Sequence, residues 1–441
     1  MRKMEKEETI QAEKKVAFYT LGCKVNQYET NAMIQQFQEH GYELVDFEEK
    51  ADIYIINTCT VTNMSDKKSR EMLRRAKKQN PVSTLVAVGC YAQVGKEKLE
   101  QIPEIDLILG TNEKNNIVAY VEKYRKEKKR EEVVTDVMQM REFQDFGTIT
   151  YTDKNRAAIK VQDGCDRFCS YCIIPYARGR VRSRKIESVV KEAEEISKKG
   201  VKEIVITGIH IASYGKDLPG NISLIHLLEA LNAVPTIQRI RLGSLEPKLM
   251  TKEFIERLVK LEKICDHFHL SLQSGCNATL ARMNRRYTTE EFYEVVTMLR
   301  QAYPNVSLTT DIIVGFPGET EEEFEETYQF LQKVQFYKMH VFKYSPRSGT
   351  KAAQMKEQID GNKKEIRSNR LLELSDKNQQ EQNKKEFGKV VEVLWEEYKD
   401  GYYIGHTTNY EEVKINTQEQ LENTITKVTI TGANGLTLLG K

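Results

Sequence analysis

The sequence has no apolar run long enough to cross a membrane, which takes about 20 predominantly apolar residues. Its longest apolar stretches, such as ADIYIINTC (51–59) and STLVAVGC (83–90), stop well short of that. The N-terminal MRKMEKEETIQAEKK lacks the apolar h-region of a signal peptide, and Glu5, Glu7, Glu8 and Glu13 argue against a transit peptide. An excess of charge of one sign is also missing. The 67 basic and 65 acidic residues leave a formal net charge of +2, so any nucleic-acid contact must come from local patches. Histidine is scarce: there are seven, and the nearest to the densest cysteine cluster is His210. The expectation is a cytoplasmic chain without a membrane partner, in which eight cysteines serve as thiols or metal ligands and not as disulfides.

At 441 residues and 39% hydrophobic content the chain can build two or three domains with proper cores. Up to about residue 120, the apolar runs KVAFYTLGC, ADIYIINTC, STLVAVGC and EIDLILGT alternate with helical stretches, the pattern of an α/β parallel sheet covered by helices. EKYRKEKKREE (122–132) reads as a helix end running into a linker. From Arg156 to about Ser345, strands are expected at AAIKV, EIVITG, RIRLGS, HFHLSL, VSLTTDIIVGF and KMHVFKYS, with helices such as IESVVKEAEEISKKG and TEEEFEETYQFLQKV between them. Six strand-helix steps are fewer than a closed eight-strand barrel needs, which implies an open, partial (β/α)6 barrel. KKEIRSNRLLELSDKNQQEQNKKEF then reads as one long exposed helix. Beyond Gly388, VVEVLWEE, GYYIGHT, EEVKI and TKVTITG suggest a small antiparallel all-β barrel. The expected limits are 14–122, 123–150 as a charged linker, 151–385 and 386–441.

DGCDRFCSYC (163–172) places Cys165, Cys169 and Cys172 on one tight loop after the first barrel strand. Three soft ligands suit an iron-sulfur cluster or zinc. A structural zinc would want a fourth ligand close by, whereas three cysteines on a cubane cluster leave one iron open to substrate. Other strand ends carry small polar residues and glycines: TGIH (207–210), SLEP (244–247), SLQSG (271–275), GFPGE (315–319) and KYSPRSG (343–349). Five such loops on one edge favour a shared ligand pocket, and Arg347 in the last can pair with a carboxylate or phosphate.

The CxxxCxxC spacing resembles the signature of the radical S-adenosylmethionine enzymes. That resemblance implies a 4Fe-4S cluster on Cys165, Cys169 and Cys172 whose open iron chelates the methionine moiety of S-adenosylmethionine, and whose electron cleaves the cofactor to a deoxyadenosyl radical. It also implies that Thr207 and Gly208 meet the methionine amino group and that Ser244, Glu246, Gln273 and Gly315 line the cofactor pocket. No catalytic side chain beyond the cluster ligands is singled out.

Cys23, Cys59 and Cys90 lie far apart in sequence, yet each ends an apolar strand, in TLGC, INTC and VGC. In a parallel sheet the strand C-termini share one edge, so the three thiols can converge. With three ligands again, a second cluster can keep an iron free to hold sulfur.

The combination resembles the methylthiotransferases, with an N-terminal three-cysteine domain, a radical barrel and a C-terminal β domain of the TRAM type, over essentially the whole chain from Lys15. LGCKVNQYET, NTCTVTNMSDKKSR and CSYCIIPYARGRVRSR look most like the branch acting on threonylcarbamoyladenosine (t6A) in tRNA. What the resemblance implies is methylthiolation of adenine C2 beside the anticodon, t6A to ms2t6A, with two 4Fe-4S clusters and two equivalents of S-adenosylmethionine. It also implies tRNA, a flavodoxin-type electron donor and a sulfur donor as partners. Isopentenyladenosine tRNA or a ribosomal protein is the alternative substrate, and a non-catalytic, metal-stabilised RNA-binding module is the alternative class.

RNA contact is expected at ARGRVRSRK, where Arg178, Arg180, Arg182, Arg184 and Lys185 follow the cluster loop. A basic helix after Cys59, with Lys67, Lys68, Arg70, Arg74, Arg75, Lys77 and Lys78, reads equally well as a plain surface helix. The C-terminal domain is net acidic, unusual for a phosphate binder, although Trp395, Tyr398, Tyr402, Tyr403 and Tyr410 offer stacking surfaces.

Overall fold

A computed structural model describes residues 14–151 and 155–441. The charged stretch before Lys14, read above for targeting signals, lies outside the described residues. Two compact units are present: the chain up to Thr60 with Met64–Asp136, and Val61–Asn63 with Val137–Lys441. Among the described residues no helix is long and apolar enough to cross a membrane.

The first unit is a six-stranded sheet of β1 (Lys14–Thr20), β2 (Tyr42–Leu44), β3 (Ile53–Thr58), β4 (Thr84–Gly89), β5 (Leu107–Leu109) and β6 (Glu131–Val133), in the order β2-β1-β3-β4-β5-β6. Every pairing in it is parallel. β3 and β4 are buried throughout, which is why IYIINT and TLVAVG read as continuous apolar runs and do not alternate. The stretch expected to run into a linker behaves differently. A helix does end at Glu127, but Glu131–Val133 then returns to pair with β5 as a short, charged edge strand.

In the second unit, β7 (Arg156–Asp163), β9 (Glu203–Gly208), β10 (Arg239–Leu242), β11 (His267–His269), β12 (Ser307–Val314) and β13 (Lys338–Lys343) follow one another as parallel neighbours, with β8 (Arg182–Ser183) antiparallel beside β7. Single bridges at Ile240–Ile264 and Leu245–Leu270 join β10 to the β11 segment, giving the open partial barrel expected. The sequence hides β8 because two residues carry no periodicity. Helices cover the outer face through local signals. Thr320 and Glu323, for example, cap each other's backbone amides at the start of Glu321–Val334, which buries Phe324, Thr327, Leu331 and Val334 at helical spacing.

The helix Gly361–Lys384 is a single element but is not wholly exposed. Leu371 and Leu374 join the barrel core, and Ser375 Oγ accepts from Met339 N of β13 at 2.9 Å. Beyond it, β14 (Val390–Lys399), β15 (Tyr402–Thr407), β16 (Glu412–Ile415), β17 (Ile425–Asn434) and β18 (Thr437–Gly440) close a barrel in the order β14-β15-β16-β18-β17.

This small barrel uses its acidity internally. Glu396 pairs with Arg156 at 2.7 Å and Glu392 with Arg239 at 2.9 Å, both arginines standing at the starts of central-barrel strands. Tyr410 stacks between His267 and His406, at 4.9 and 4.7 Å between ring centres, with the Arg241 guanidinium 4.6 Å from its own ring. The small barrel therefore docks on the strand N-termini, opposite the cysteine-bearing edge. Of the aromatics offered for stacking, Trp395 and Tyr403 are core and Tyr410 is in the dock, while Tyr398 stays exposed and Tyr402 half-exposed.

Candidate active site

β7 ends at Asp163, and Gly164 turns the chain at φ +70, pressed against the Arg180 carbonyl where a Cβ has no room. Cys165 N then donates to Gly179 O at 3.0 Å and Cys172 N to Cys169 O at 2.9 Å. The turn after Thr279 cradles this loop: Ser170 N donates to Met283 O at 3.0 Å, Ser170 Oγ to Arg282 O at 2.7 Å and Asn284 Nδ2 to Phe168 O at 3.0 Å.

Two donors aim at the sulfurs. Arg167 N reaches Cys165 Sγ at 3.5 Å, and Arg285 Nη1 reaches Cys169 Sγ at 3.3 Å. Burial pushes the Cys165 thiol up to about 11 and the Cys172 thiol up to about 12, and neighbouring thiols in the loop add to both shifts. Three cysteines on one short loop, with N–H donors on two of their sulfurs, form a donor set whose chemistry fits an iron-sulfur cluster.

The strand ends beside the loop are polar and partly locked together. Glu246 is buried against Arg167 and His210, whose Nε2 lies 3.3 Å away. Burial alone would raise its pKa, but the His210 hydrogen bond and the charges of His210, Arg167 and Arg285 win and hold it at about 2. Glu246, Arg167, Lys216 and Lys248 line a cleft of about 340 Å³. Thr207 is buried at the end of β9 with Gly208 beside it, and Ser244 is exposed. Gln273 lines a second cavity of about 240 Å³ with Tyr171, Asp311, Ile313, Phe342 and Tyr344. Gly315 does not offer its amide to a ligand, because that N–H is taken by Glu319 Oε2 at 2.6 Å. Arg347 is buried and donates through Nη1 to Asn63 Oδ1 at 2.6 Å, within the same unit.

The arginine strip is not a solvent-facing strip. Arg178 and Arg182 are buried, with guanidinium nitrogens 3.4 and 3.7 Å from Asp163 Oδ2, which Lys160 Nζ also meets at 2.5 Å. Arg184 is buried against Glu192 at 2.5 Å. Alternating arginines look alike whether they face water or one buried aspartate, and here burial of Asp163 decides it. Arg180 and Lys185 remain exposed.

In the first unit, Cys23, Cys59 and Cys90 follow β1, β3 and β4, three adjacent strands, so all three stand on one edge. Asn26 touches all three loops: its Nδ2 donates to Leu21 O at 2.7 Å and to Thr58 O at 3.1 Å, and Cys90 Sγ lies 4.0 Å from its Oδ1. Cys23 is exposed and the other two are buried. Among the described residues, no three or more Cys, His, Asp or Glu side chains are grouped to hold a single metal ion. The basic helix Asn63–Gln79 spends much of its charge locally, with Arg75 on Glu48 at 2.5 Å and Lys77 on Asp106 at 3.1 Å.

Two family models match the chain, the radical SAM superfamily over residues 159–331 and the uncharacterized protein family UPF0004 over 15–110. The chain is 44% identical over 421 residues to the threonylcarbamoyladenosine tRNA methylthiotransferase MtaB of Bacillus subtilis, covering 94% of this chain and 93% of the relative. The MtaB of Aquifex aeolicus is 43% identical over 380 residues, covering 86% and 92%. The chain belongs to the radical S-adenosylmethionine methylthiotransferase family. In fold it is similar to the radical S-adenosylmethionine methyltransferase TsrM of Kitasatospora setae, with a TM-score of 0.56 at 16% identity over 76% of this chain and 77% of that one.

A radical S-adenosylmethionine methylthiotransferase uses S-adenosylmethionine and a 4Fe-4S cluster. Around the cysteine loop, the sequence shows no sign of the contacts made by Arg167 and Arg285, and it offers His210 only as part of the TGIH loop. Each sits on a different loop from the partner it meets, and no local spacing announces such a pair. In the first unit the contacts of Asn26 go unsignalled as well, since an asparagine in a first helical turn usually signals only a local cap.

Proposed function

We propose that this methylthiotransferase acts on tRNA and places a methylthio group on C2 of N6-threonylcarbamoyladenosine beside the anticodon, converting t6A to ms2t6A. One observation carries the reading: a three-cysteine loop with N–H donors on its sulfurs, in a chain 44% identical over most of its length to a relative named for that substrate. In this reading Cys165, Cys169 and Cys172 hold one 4Fe-4S cluster, and Cys23, Cys59 and Cys90 hold a second. Together with two equivalents of S-adenosylmethionine, the bound clusters supply the radical and the sulfur chemistry needed at an adenine C2–H, which no general base removes usefully.

The protein's own groups position and exclude. Arg167 ties the cysteine loop to Glu246, and in this reading Thr207, Gly208, Ser244 and Gln273 contribute to the cofactor pocket. The rings of Tyr171, Phe342 and Tyr344 give the cavity beside the loop an apolar wall. Arg180 and Lys185 offer exposed cations to RNA phosphates, and Tyr398 and Tyr402 offer faces to bases. The enzyme works in the cytoplasm with a flavodoxin-type electron donor and a sulfur donor.

The test is nucleoside mass spectrometry of tRNA from cells lacking the gene and from the same cells complemented with it. The expected result is loss of ms2t6A with accumulation of t6A, restored on complementation. Persistence of ms2t6A in cells with no second such enzyme would overturn the substrate assignment.

A further inference from the structure

We infer that Arg285 is a positioning residue for the cysteine-loop cluster, holding the Cys169 sulfur by a charge-assisted hydrogen bond and offsetting the negative charge gathered there. This rests on the reading of Cys165, Cys169 and Cys172 as cluster ligands.

The half-buried guanidinium is fixed on every side. Nη1 donates to Cys169 Sγ at 3.3 Å, Nη2 to Ser271 O at 3.1 Å and Nε to Tyr287 Oη at 3.0 Å. Tyr287 is itself pinned, its hydroxyl lying 2.6 Å from Ser271 O and 2.7 Å from Leu272 O, and the Arg285 charge sits 4.9 Å from its ring centre. The same turn carries Met283 O and Asn284 Nδ2, which bind Ser170 N and Phe168 O of the cysteine loop, so the approach of Arg285 to Cys169 is set by backbone contacts on both sides.

Arg285 differs from its neighbours in what meets its charge. Arg167 pairs with Glu246, Arg282 with Glu323 and Arg367 with Glu319. Among the described residues Arg285 pairs with no carboxylate; its fork reaches two neutral oxygens and one sulfur. An arginine cannot shed its proton, and a charge withdrawn from water needs a counter-charge. The Cys169 thiolate, and the cluster it ligates, supplies that counter-charge in direct contact, while the Glu246 carboxylate acts on Arg285 only from beyond ion-pair distance. A fixed cation donating to a ligand sulfur stabilises the more negative, reduced cluster and so raises its reduction potential.

The experiment uses the full chain, reconstituted anaerobically with iron and sulfide, in wild-type, Arg285→Gln and Arg285→Lys forms. Iron content is measured first. The midpoint of the loop cluster, identified as the EPR signal that changes on adding S-adenosylmethionine, is then followed through a dithionite titration. Arg285→Gln is expected to keep wild-type iron while its reduction equilibrium becomes about tenfold less favourable, about 59 mV lower for a one-electron couple. A role confined to tethering Tyr287 and Ser271 would leave the midpoint where it was, and an unchanged midpoint at full iron content overturns the inference. Should Arg285→Gln not fold, Arg285→Lys decides: one ammonium cannot span both Ser271 O and Cys169 Sγ, so its midpoint also falls, by less, and a wild-type midpoint there overturns the inference. Cys169→Ala tests the underlying reading separately, because wild-type iron and an intact signal in that variant would place the cluster elsewhere whatever Arg285 does.

Discussion

A Cβ built on Gly22 would lie 2.8 Å from Cys59 Sγ, closer than such atoms approach in folded proteins, and Gly22 sits at φ +100. The missing side chain is what lets the loop after β1 lie against the cysteine after β3. Gly22→Ala adds both a clash and a strained backbone, the latter costing about 1 kcal/mol. The expected outcome is selective: about half of the bound iron is lost, the part assigned to Cys23, Cys59 and Cys90, while reductive cleavage of S-adenosylmethionine at the other triad persists. Iron analysis paired with a deoxyadenosine assay checks this, and full iron content in the variant would contradict it.

Asp163 gathers three cations, Lys160, Arg178 and Arg182, all buried. Asp163→Asn leaves that charge without its counter-ion, and removing one partner of a buried ion pair costs about 3–5 kcal/mol. A marked drop in thermal midpoint is expected. Arg180→Ala, at an exposed position, should change stability by no more than about 0.5 kcal/mol while weakening tRNA binding. Filter-binding and thermal scans on both variants separate the two roles.

These pairs show where sequence reading reaches its limit. Apolar runs at β3 and β4 announce central parallel strands because both faces of those strands are buried, and cysteines at their ends announce one shared edge by topology alone. Arg178 and Arg180 cannot be told apart in this way. They are two residues apart in one polar run, yet one faces Asp163 and the other faces water, a difference set by the turn at Gly164 and by tertiary packing. The acidic C-terminal segment misleads for the same reason: its charge balance omits Arg156 and Arg239, which lie over 150 residues earlier in sequence and neutralise Glu396 and Glu392.

Glu203 tests that dock. Arg241 donates to its two carboxylate oxygens at 2.6 and 3.0 Å, and the same guanidinium reaches the Thr407 and Thr408 carbonyls of the small barrel at 3.1 and 2.9 Å. The paired arginine holds the Glu203 carboxyl below its usual range in spite of burial, which by itself would raise it. Glu203→Ala strands Arg241, so destabilisation of about 3–5 kcal/mol is expected, with earlier proteolytic release of the segment beyond Gly388. Protease resistance equal to wild type would show that the dock does not depend on this pair.

Glu411 gives the clearest dependence on pH. It is buried beside a cavity of about 400 Å³ with Arg300, Ser307, Lys385 and Glu386 on its walls. Burial, and then the charge of Glu386, pushes its carboxyl from an ordinary 4.5 up to about 8, a hydrogen bond from Asn409 opposing them. For an acid with a raised pKa, the folded chain holds a proton that the unfolded chain has released between pH 4.5 and 8. Stability contributed by this group is therefore complete below pH 4.5, falls as the pH rises and is fully lost above about 8. Glu411→Gln keeps the neutral form at every pH. Thermal scans of the cluster-loaded enzyme at acid, neutral and alkaline pH should show the wild-type midpoint declining through this window more steeply than that of the variant, with the variant the more stable of the two at alkaline pH. Parallel curves for the two proteins would mean that Glu411 ionises normally in the fold.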